Sequence, residues 1–333
     1  MAHRITIPRL AQAAGVSAST VDRILNGRGA VQKATREHVL AVAEAIGFHG
    51  VPVLRRRAAE GAGTKRLGFV LPQGNGLYRD IGAALSEAAQ ICARPELRYY
   101  DETDPATAAI ILQELAQSCD ALGVMCPDDP VLVQTLGELA QRQVPVWTLL
   151  SDLPQAARAG FVGLDAFRLG RSAGWFMERL LPQGGKVAVI CGASGFAAQS
   201  DCAAGFAACL AGLGMDLVSR LDCGESDATC RNRLYRLLGQ QPDIRGLYVI
   251  GAGMAGAIGA LKLLDRPDIA VIGTYRDPYV AAAMAQGWVD VVLSHSFEGL
   301  ARAAVARMVL PIGHTGAPVM AHLPQEILIS EGL

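Results

Sequence analysis

The chain has 333 residues, too many for one compact core, and with 51% hydrophobic and 18% charged residues it is globular rather than disordered. Its net charge of −1 hides a split: residues 1–66 hold 11 Lys and Arg against 4 Asp and Glu, giving +7 there and leaving −8 for 67–333. A basic head on an acidic body is the electrostatic footprint of a nucleic-acid binder with a separate regulatory part, and no apolar run is long and unbroken enough to span a bilayer.

Residues 5–27 read as two short helices joined by a tight turn. Thr6 is placed to cap the first helix, whose apolar face is Leu10 and Ala14. Gly15 supplies the turn, where a residue without Cβ takes positive φ. Ser17 caps the second helix, in which Val21, Ile24 and Leu25 point inward and Ala18, Ser19, Asp22, Arg23 and Asn26 face outward. That outer face is small at its start, so it can approach the major groove of DNA. Arg23 can fork onto guanine, and Ser17, Thr20 and Asn26 can hold phosphates. Asp22 stays open between two readings. It accepts from cytosine N4 or fixes the Arg23 rotamer, or else it is a surface charge kept off the phosphates. A third helix over 35–46 carries Val39, Val42, Ala43 and Ile46 at helical spacing, with Gly47 as its stop.

The connector follows, with Pro52 and the run Arg55, Arg56 and Arg57. These arginines suit phosphates or a narrow minor groove, and a plain flexible basic linker is the equal alternative.

From residue 66 strand-like and helical segments alternate. Strands are expected at 67–71, 97–100, 121–125, 144–149 and 160–162, then at 186–191, 217–221, 246–250, 270–273 and 289–293. Helical stretches between them include 81–93, 107–118, 131–142, 166–181, 202–213 and 254–264. Apolar strands alternating with helices specify parallel sheets covered on both faces, here in two similar lobes, with a ligand cleft at the carboxyl ends of the strands. Gly251-Ala-Gly253-Met-Ala-Gly256 fits a dinucleotide fingerprint, but the acid such a site needs at the end of the next strand is missing, so a close-packed turn is the better reading. Eight cysteines include no Cys-x2-Cys pair, and Cys92, Cys119, Cys191 and Cys209 sit in apolar stretches, so reduced structural thiols are expected. Neither a cofactor nor a metal is implied. Trp147, Trp175 and Trp288 read as packing.

The run Ala11-x3-Gly15-Val16-Ser17-x2-Thr20-Val21-x-Arg23-x2-Asn26-Gly27, then Val31, Thr35-Arg36 and Ala45-x-Gly47-Phe48, resembles the headpiece of the lactose-repressor (LacI) family of bacterial transcription regulators. The resemblance implies an α/β fold: an N-terminal helix-turn-helix headpiece, a hinge, and a two-lobed, periplasmic-binding-protein-like core of parallel sheets that dimerises and answers to a small molecule. It puts Ala18, Ser19 and Arg23 at base-reading positions and Thr6, Ser17, Thr20 and Asn26 at phosphates, with Asp22 where a Ser is usual. In the hinge the match fails, because Arg57 replaces the expected Leu and Val51 the usual Asn. Around the cleft it implicates Asn75, Tyr78, Asp152, Asp165, Tyr275, Asp277 and His295. Cys202 stands where a cleft Arg is expected and Met254 where a polar residue is, so the pocket looks less polar than that of a hexose binder. Asp165 is equally suited to capping the helix that follows it.

The expected organisation is a headpiece over 1–49, a basic linker over 50–65 and a core over 66–333. Lobe 1 takes about 66–163 and 295–320, and lobe 2 about 164–294 and 321–333. The expected function is that of a homodimeric repressor in the cytoplasm, on the nucleoid, bound to a near-palindromic double-stranded operator. A sugar, polyol or derivative would control it. Neither catalysis nor a membrane has a part in that reading. The alternatives are a solute-binding protein, disfavoured by the absence of a secretory leader before the first helix, and a nucleotide-dependent enzyme.

Overall fold

Short apolar stripes and well-placed glycines shape the headpiece. In the computed structural model, which describes residues 5–27, 31–51, 53–54, 65–73, 76–101, 103–192, 195–310 and 318–332, they form α1 (Ile7–Ala13), α2 (Ala18–Asn26) and α3 (Lys33–Ala45). Gly15 turns between α1 and α2 at φ +63°, and Gly27 closes α2 at φ +64°, conformations that cost a glycine little. Ser17 caps α2, its Oγ accepting from the Thr20 N–H at 3.0 Å. Thr6 occupies the N-cap position of α1 with extended backbone, but its side chain makes no capping bond. Pro8 in that first turn has no N–H to offer, so the expected cap is half disarmed. Leu10, Val21, Ile24, Val39, Ala43 and Phe48 form the headpiece core, with Leu25 only partly buried. Leu54 is 1% exposed within that same core. The packed headpiece therefore reaches past residue 49, into the stretch read as linker.

The chain divides into two compact units, residues 1–65 with 92–94, and the rest. The second unit holds β1 (Lys65–Pro72), α4 (Gly76–Gln90), β2 (Ala93–Tyr100), α5 (Pro105–Leu115), β3 (Ala121–Val124), α6 (Pro130–Gln141), β4 (Val146–Leu149) and β5 (Gly160–Gly163). Next come α7 (Ala166–Leu180), β6 (Gly185–Cys191), α8 (Ala197–Leu210), β7 (Met215–Asp222), α9 (Asp227–Gln240), β8 (Ile244–Ile250), α10 (Met254–Leu263), β9 (Ala270–Gly273), α11 (Pro278–Ala285) and β10 (Val291–Ser294). The chain finishes with α12 (Phe297–Met308), β11 (Val319–His322) and β12 (Glu326–Leu328).

These strands build two six-stranded sheets, ordered β11-β5-β4-β3-β1-β2 and β12-β10-β9-β8-β6-β7. Neighbours are parallel from β1 to β11 in the first sheet and throughout β7 to β10 in the second, while β12 runs antiparallel to β10. Leu67, Phe69, Val70 and Leu71 are wholly buried, as a strand covered on both faces requires. Aspartate and serine caps start the helices on cue: Asp104 on α5, Asp129 on α6, Ser226 on α9 and Ser296 on α12.

The chain passes between the sheets three times, at 164–165, 295–296 and 323–325. β11 and β12 fall outside the strands expected from sequence, and β11 keeps the chain in the first lobe to His322 rather than 320. No helix among the described residues is long and apolar enough to cross a membrane.

In lobe 2, α7 and α8 cross with their backbones touching. A Cβ on Gly170 would lie 1.9 Å from the Cys202 carbonyl oxygen, and one on Gly205 would lie 2.0 Å from that of Phe167. Neither backbone can give way alone. Gly205→Ala is therefore expected to destabilise the core by on the order of 1–3 kcal/mol in chemical denaturation. Gly137→Ala, where an added Cβ on α6 meets nothing within 4 Å, is expected to be neutral or to stabilise by ~0.5–1 kcal/mol. Equal effects of the two would contradict this account of the crossing.

Candidate functional site

The headpiece presents one polar helix face. Ala18, Ser19, Arg23 and Asn26 are exposed on α2, and Asp22 and Thr20 are partly so. Arg23 Nη2 donates to Ser19 Oγ at 3.2 Å, and Asn26 Nδ2 donates to Asp22 Oδ1 at 2.8 Å. Asp22 thus orients Asn26, while Ser19 steadies Arg23, one turn earlier on the same face. That corrects the reading in which Asp22 fixes Arg23. The Ser17 and Thr20 hydroxyls lie 2.8 Å apart at the start of the helix, where free N–H groups favour an anion. Arg55, Arg56 and Arg57 lie outside the described residues.

In the core, the carboxyl ends of the strands face a cleft with a cavity of about 100 Å³. Four of the residues singled out from sequence line it: Tyr78, Cys202, Tyr275 and His295. Asn75 lies outside the described residues. Four others are engaged elsewhere. Asp152 pairs with the buried Arg158 guanidinium at 2.6 Å and also accepts from Thr148 Oγ1 at 2.6 Å and the Leu153 N–H at 2.9 Å. Its carboxylate is held in structural contacts, and it is not among the residues lining the cavity. Asp165 caps α7 through the Arg168 N–H at 3.0 Å, and Asp277 caps α11 through the Val280 N–H at 2.7 Å. Asp165 also borders a separate groove of about 790 Å³ with Arg168, Arg171, Trp175 and His322. Met254 is packed in the apolar core of lobe 2, with its sulfur against Gly273.

The rest of the wall is mostly apolar: Leu77 and Met125 from lobe 1, Phe196, Leu169 and Ile250 from lobe 2, and Leu164 from the first crossing. Sequence reading missed its hydrogen-bonding members. Gln199 Nε2 donates to Glu225 Oε1 at 2.8 Å, Thr274 Oγ1 accepts from the Gly251 N–H at 2.8 Å, and Ser151 Oγ accepts from the Ala198 N–H at 3.4 Å. Thr274 and Ser151 follow strands β9 and β4, and that position was their available signal. Gln199 sits one turn into α8 and carried none.

Two groups connect the cleft to the lobes. Tyr275, from lobe 2, donates its hydroxyl to Asp80 Oδ2 of α4 in lobe 1 at 3.0 Å. Burial, then the Asp80 carboxylate, push that hydroxyl well above its ordinary pKa, so it remains a donor. His295 lies in the second crossing, edge-on to Phe297 at 5.5 Å. The residue as a whole is partly exposed, yet its Nε2 is sealed from water and has no hydrogen-bond partner. Burial pushes its pKa down from 6.5 to about 4, so the ring is neutral at pH 7.

Burial likewise pushes the Cys202 thiol up to about 12, making it a small neutral wall group. Cys119 and Cys191 are buried and Cys209 is half-buried, whereas Cys92 is exposed, contrary to its apolar neighbourhood in sequence. No cluster among the described residues could hold a metal ion.

With this geometry in view, comparison with known proteins gives two family matches. Residues 6–50 match bacterial regulatory proteins of the lacI family, and residues 67–310 match the periplasmic binding protein domain. The maltose regulon regulatory protein MalI of Escherichia coli (strain K12) is 26% identical over 291 residues, covering 85% of this chain and 82% of that protein. The HTH-type transcriptional regulator DegA of Bacillus subtilis (strain 168) is 27% identical over 157 residues, under half of either protein at 45% of each. Among solved structures, GanP, a glucose-galactose binding protein from Geobacillus stearothermophilus, superposes with TM-score 0.76 at 19% identity, covering 82% of this chain and 99% of that one. An ABC-transporter solute-binding protein from Burkholderia graminis, in complex with D-arabinose, gives TM-score 0.74 at 17% identity, covering 80% and 96%. At such identities the structural likeness establishes the fold.

The buried His295 has a measurable consequence. Between pH 6.5 and about 4 the unfolded chain takes up a proton at this residue that the folded core refuses. Its contribution to stability is complete above pH 6.5 and is lost as the pH falls through that window. Wild type is expected to lose on the order of 2–3 kcal/mol more than His295→Gln between those pH values in urea denaturation. Parallel pH profiles would contradict the buried, neutral state.

Proposed function

The chain belongs to the lacI family of bacterial regulatory proteins, and on that footing we propose that it is a sequence-specific transcription regulator, acting as a repressor, whose grip on DNA is set by a small carbohydrate-type effector in the core cleft. The observation that carries this is the α2 face: a Ser17-capped helix start, small residues Ala18 and Ser19, and Arg23 held outward by Ser19. Such a helix enters the major groove by its N-terminal end, with Arg23 on a guanine edge and Ser17, Thr20 and Asn26 on the backbone. Thr6, although it does not cap α1, remains at a phosphate position. Arg55, Arg56 and Arg57 add sequence-independent attraction.

The protein acts as a homodimer on a near-palindromic operator, in the bacterial cytoplasm on the nucleoid. Symmetry of the protein demands symmetry of the site. A carbohydrate class is supported by the regulon in the name of MalI and by the sugars in the names of the fold neighbours. The family is one of transcription regulators, and catalysis has no part in the proposal.

Control operates through the lobes. The Tyr275–Asp80 hydrogen bond joins the two lobes across the cleft, and a motion that parts them there would break it. An effector shifts the closed population by its differential affinity for the two states and no further, and roughly 5.5 kcal/mol separates 1:99 from 99:1.

Arg23→Ala is expected to cost on the order of 1–3 kcal/mol on the cognate operator, measured by electrophoretic mobility shift, and much less on random DNA. Equal losses on both would move Arg23 from base to phosphate and remove the carrier of sequence specificity.

A further inference from the structure

The groove along α7 has a chemistry opposite to that of the cleft. Its volume, about 790 Å³, falls within the range usual for small-ligand sites, roughly 300–1,000 Å³. The cleft wall has no Asp, Glu, Lys or Arg among its described residues, whereas this groove has Arg168 and Arg171. They stand three residues apart on α7, which puts them on one helix face, and both are exposed. Among the described residues neither guanidinium has a hydrogen bond or an ion pair; Arg168 is bonded through its backbone alone. Two cations without counter-ions stand out in residues 67–333, which carry a net charge of −8.

The rest of the groove suits a ring. Trp175 follows Arg171 by one turn of α7 and is 47% exposed, with the Arg179 guanidinium 3.4 Å from its ring centre. One acid lines the groove, Asp165, and its carboxylate accepts from the Arg168 N–H at the start of α7. Glu326 stands between the lining residues Gln325 and Ile327 and, by strand alternation, faces the other way.

We propose that this groove is a second ligand site, and that it takes a small phosphate monoester whose remainder is a ring. Guanidinium forks match the oxygens of a phosphate, and two of them neutralise its charge. Trp175, Leu323 and Ile327 offer apolar surface to the ring, whether sugar or nucleobase. Gln325 and His322 supply hydrogen bonds to its polar edge. The Ser172 hydroxyl donates to the Arg168 carbonyl at 3.1 Å and keeps its lone pairs for a ligand donor. The uncharged cleft wall could not take such a ligand, because it has nothing to set against a desolvated dianion.

Position gives the groove a route to the lobes. His322 ends β11 in lobe 1, Leu323 and Gln325 lie in the third crossing, and both arginines belong to lobe 2. An occupant bonded to His322 and to the arginines together therefore restrains the angle between the lobes. Leu164 and Leu169 belong to the walls of both hollows, so the two sites are neighbours. The protein thus reads two signals through the same crossings, one in the cleft and one anionic on α7.

The test uses the full chain, with AMP and glucose 6-phosphate as probes. Each is measured beside its unphosphorylated parent and inorganic phosphate, by titration calorimetry on wild type and Arg168→Gln/Arg171→Gln. Both side chains are exposed and unpartnered, so the double variant is expected to keep the wild-type melting temperature and its operator affinity without probe. At least one ester is expected to bind wild type below millimolar Kd, about tenfold or more tighter than its parent and than inorganic phosphate. The double variant is expected to lose about tenfold of that affinity. Preference for AMP would identify a nucleobase as the ring and preference for glucose 6-phosphate a sugar, and either fulfils the expectation. Trp175→Leu is expected to weaken the ester about fivefold and leave inorganic phosphate unchanged. Saturating ester is expected to change operator affinity about fivefold in wild type and not in the double variant. No ester binding at millimolar concentration, binding no tighter than inorganic phosphate, or equal binding by the double variant would overturn the site. Ester binding that Gln199→Ala abolishes and the double variant keeps would place the ester in the cleft and equally overturn it. An ester that binds through the arginines and leaves operator affinity unchanged would overturn the coupling alone. Calorimetry needs no DNA, so failure of the site stays distinguishable from failure of the transcription-regulator reading.

Discussion

Three passages of one chain between two parallel sheets are the constraint on which the core depends. Each sheet needs helices on both faces, and each places the carboxyl ends of its strands toward the other. The strands that end at the cleft therefore deliver loops to it from both lobes, and the crossings run along its side. Leu164 and His295 belong to those crossings and to the cavity wall at once. A ligand in that cavity would therefore touch two of the segments that join the lobes. Tyr275 and Asp80 add a bond that one lobe cannot make without the other.

The charge split acquires a physical meaning from this arrangement. Basic residues gather in the first 66 positions, while the cleft wall is built without charge among its described members. Carboxylates that sequence places near the cleft are spent on structure. Asp152 neutralises a buried guanidinium, and Asp165 and Asp277 hold helix starts. Removing any of them would report on folding before it reported on ligand.

Much of this was legible in the sequence, for identifiable reasons. The headpiece follows from local rules: a capping serine, glycines at two positive-φ positions and an apolar stripe at helical spacing. The ten expected strands all occur; the inner ones are buried and continuous in hydrophobicity, while the edge strands β2 and β7 are partly exposed. β11 and β12 escaped because they are short edge strands with mostly exposed side chains, flanked by prolines. The cleft was harder. Whether an aspartate binds ligand or caps a helix depends on a few ångströms that no spacing records, and Met254 turned inward against Gly273 for packing. Gln199 depends on Glu225, 26 residues away, and Tyr275 on Asp80, 195 residues away. Partnerships at that range are decided by topology rather than by neighbours in sequence.

The central claim is that the state of the cleft sets the grip on DNA. It is tested most directly by measuring operator affinity for wild type and Tyr275→Phe, without added effector. Loss of the lobe-spanning hydrogen bond is predicted to change specific operator affinity by roughly three- to tenfold and leave binding to random DNA unaltered. Identical operator affinities, with both proteins equally folded, would contradict it.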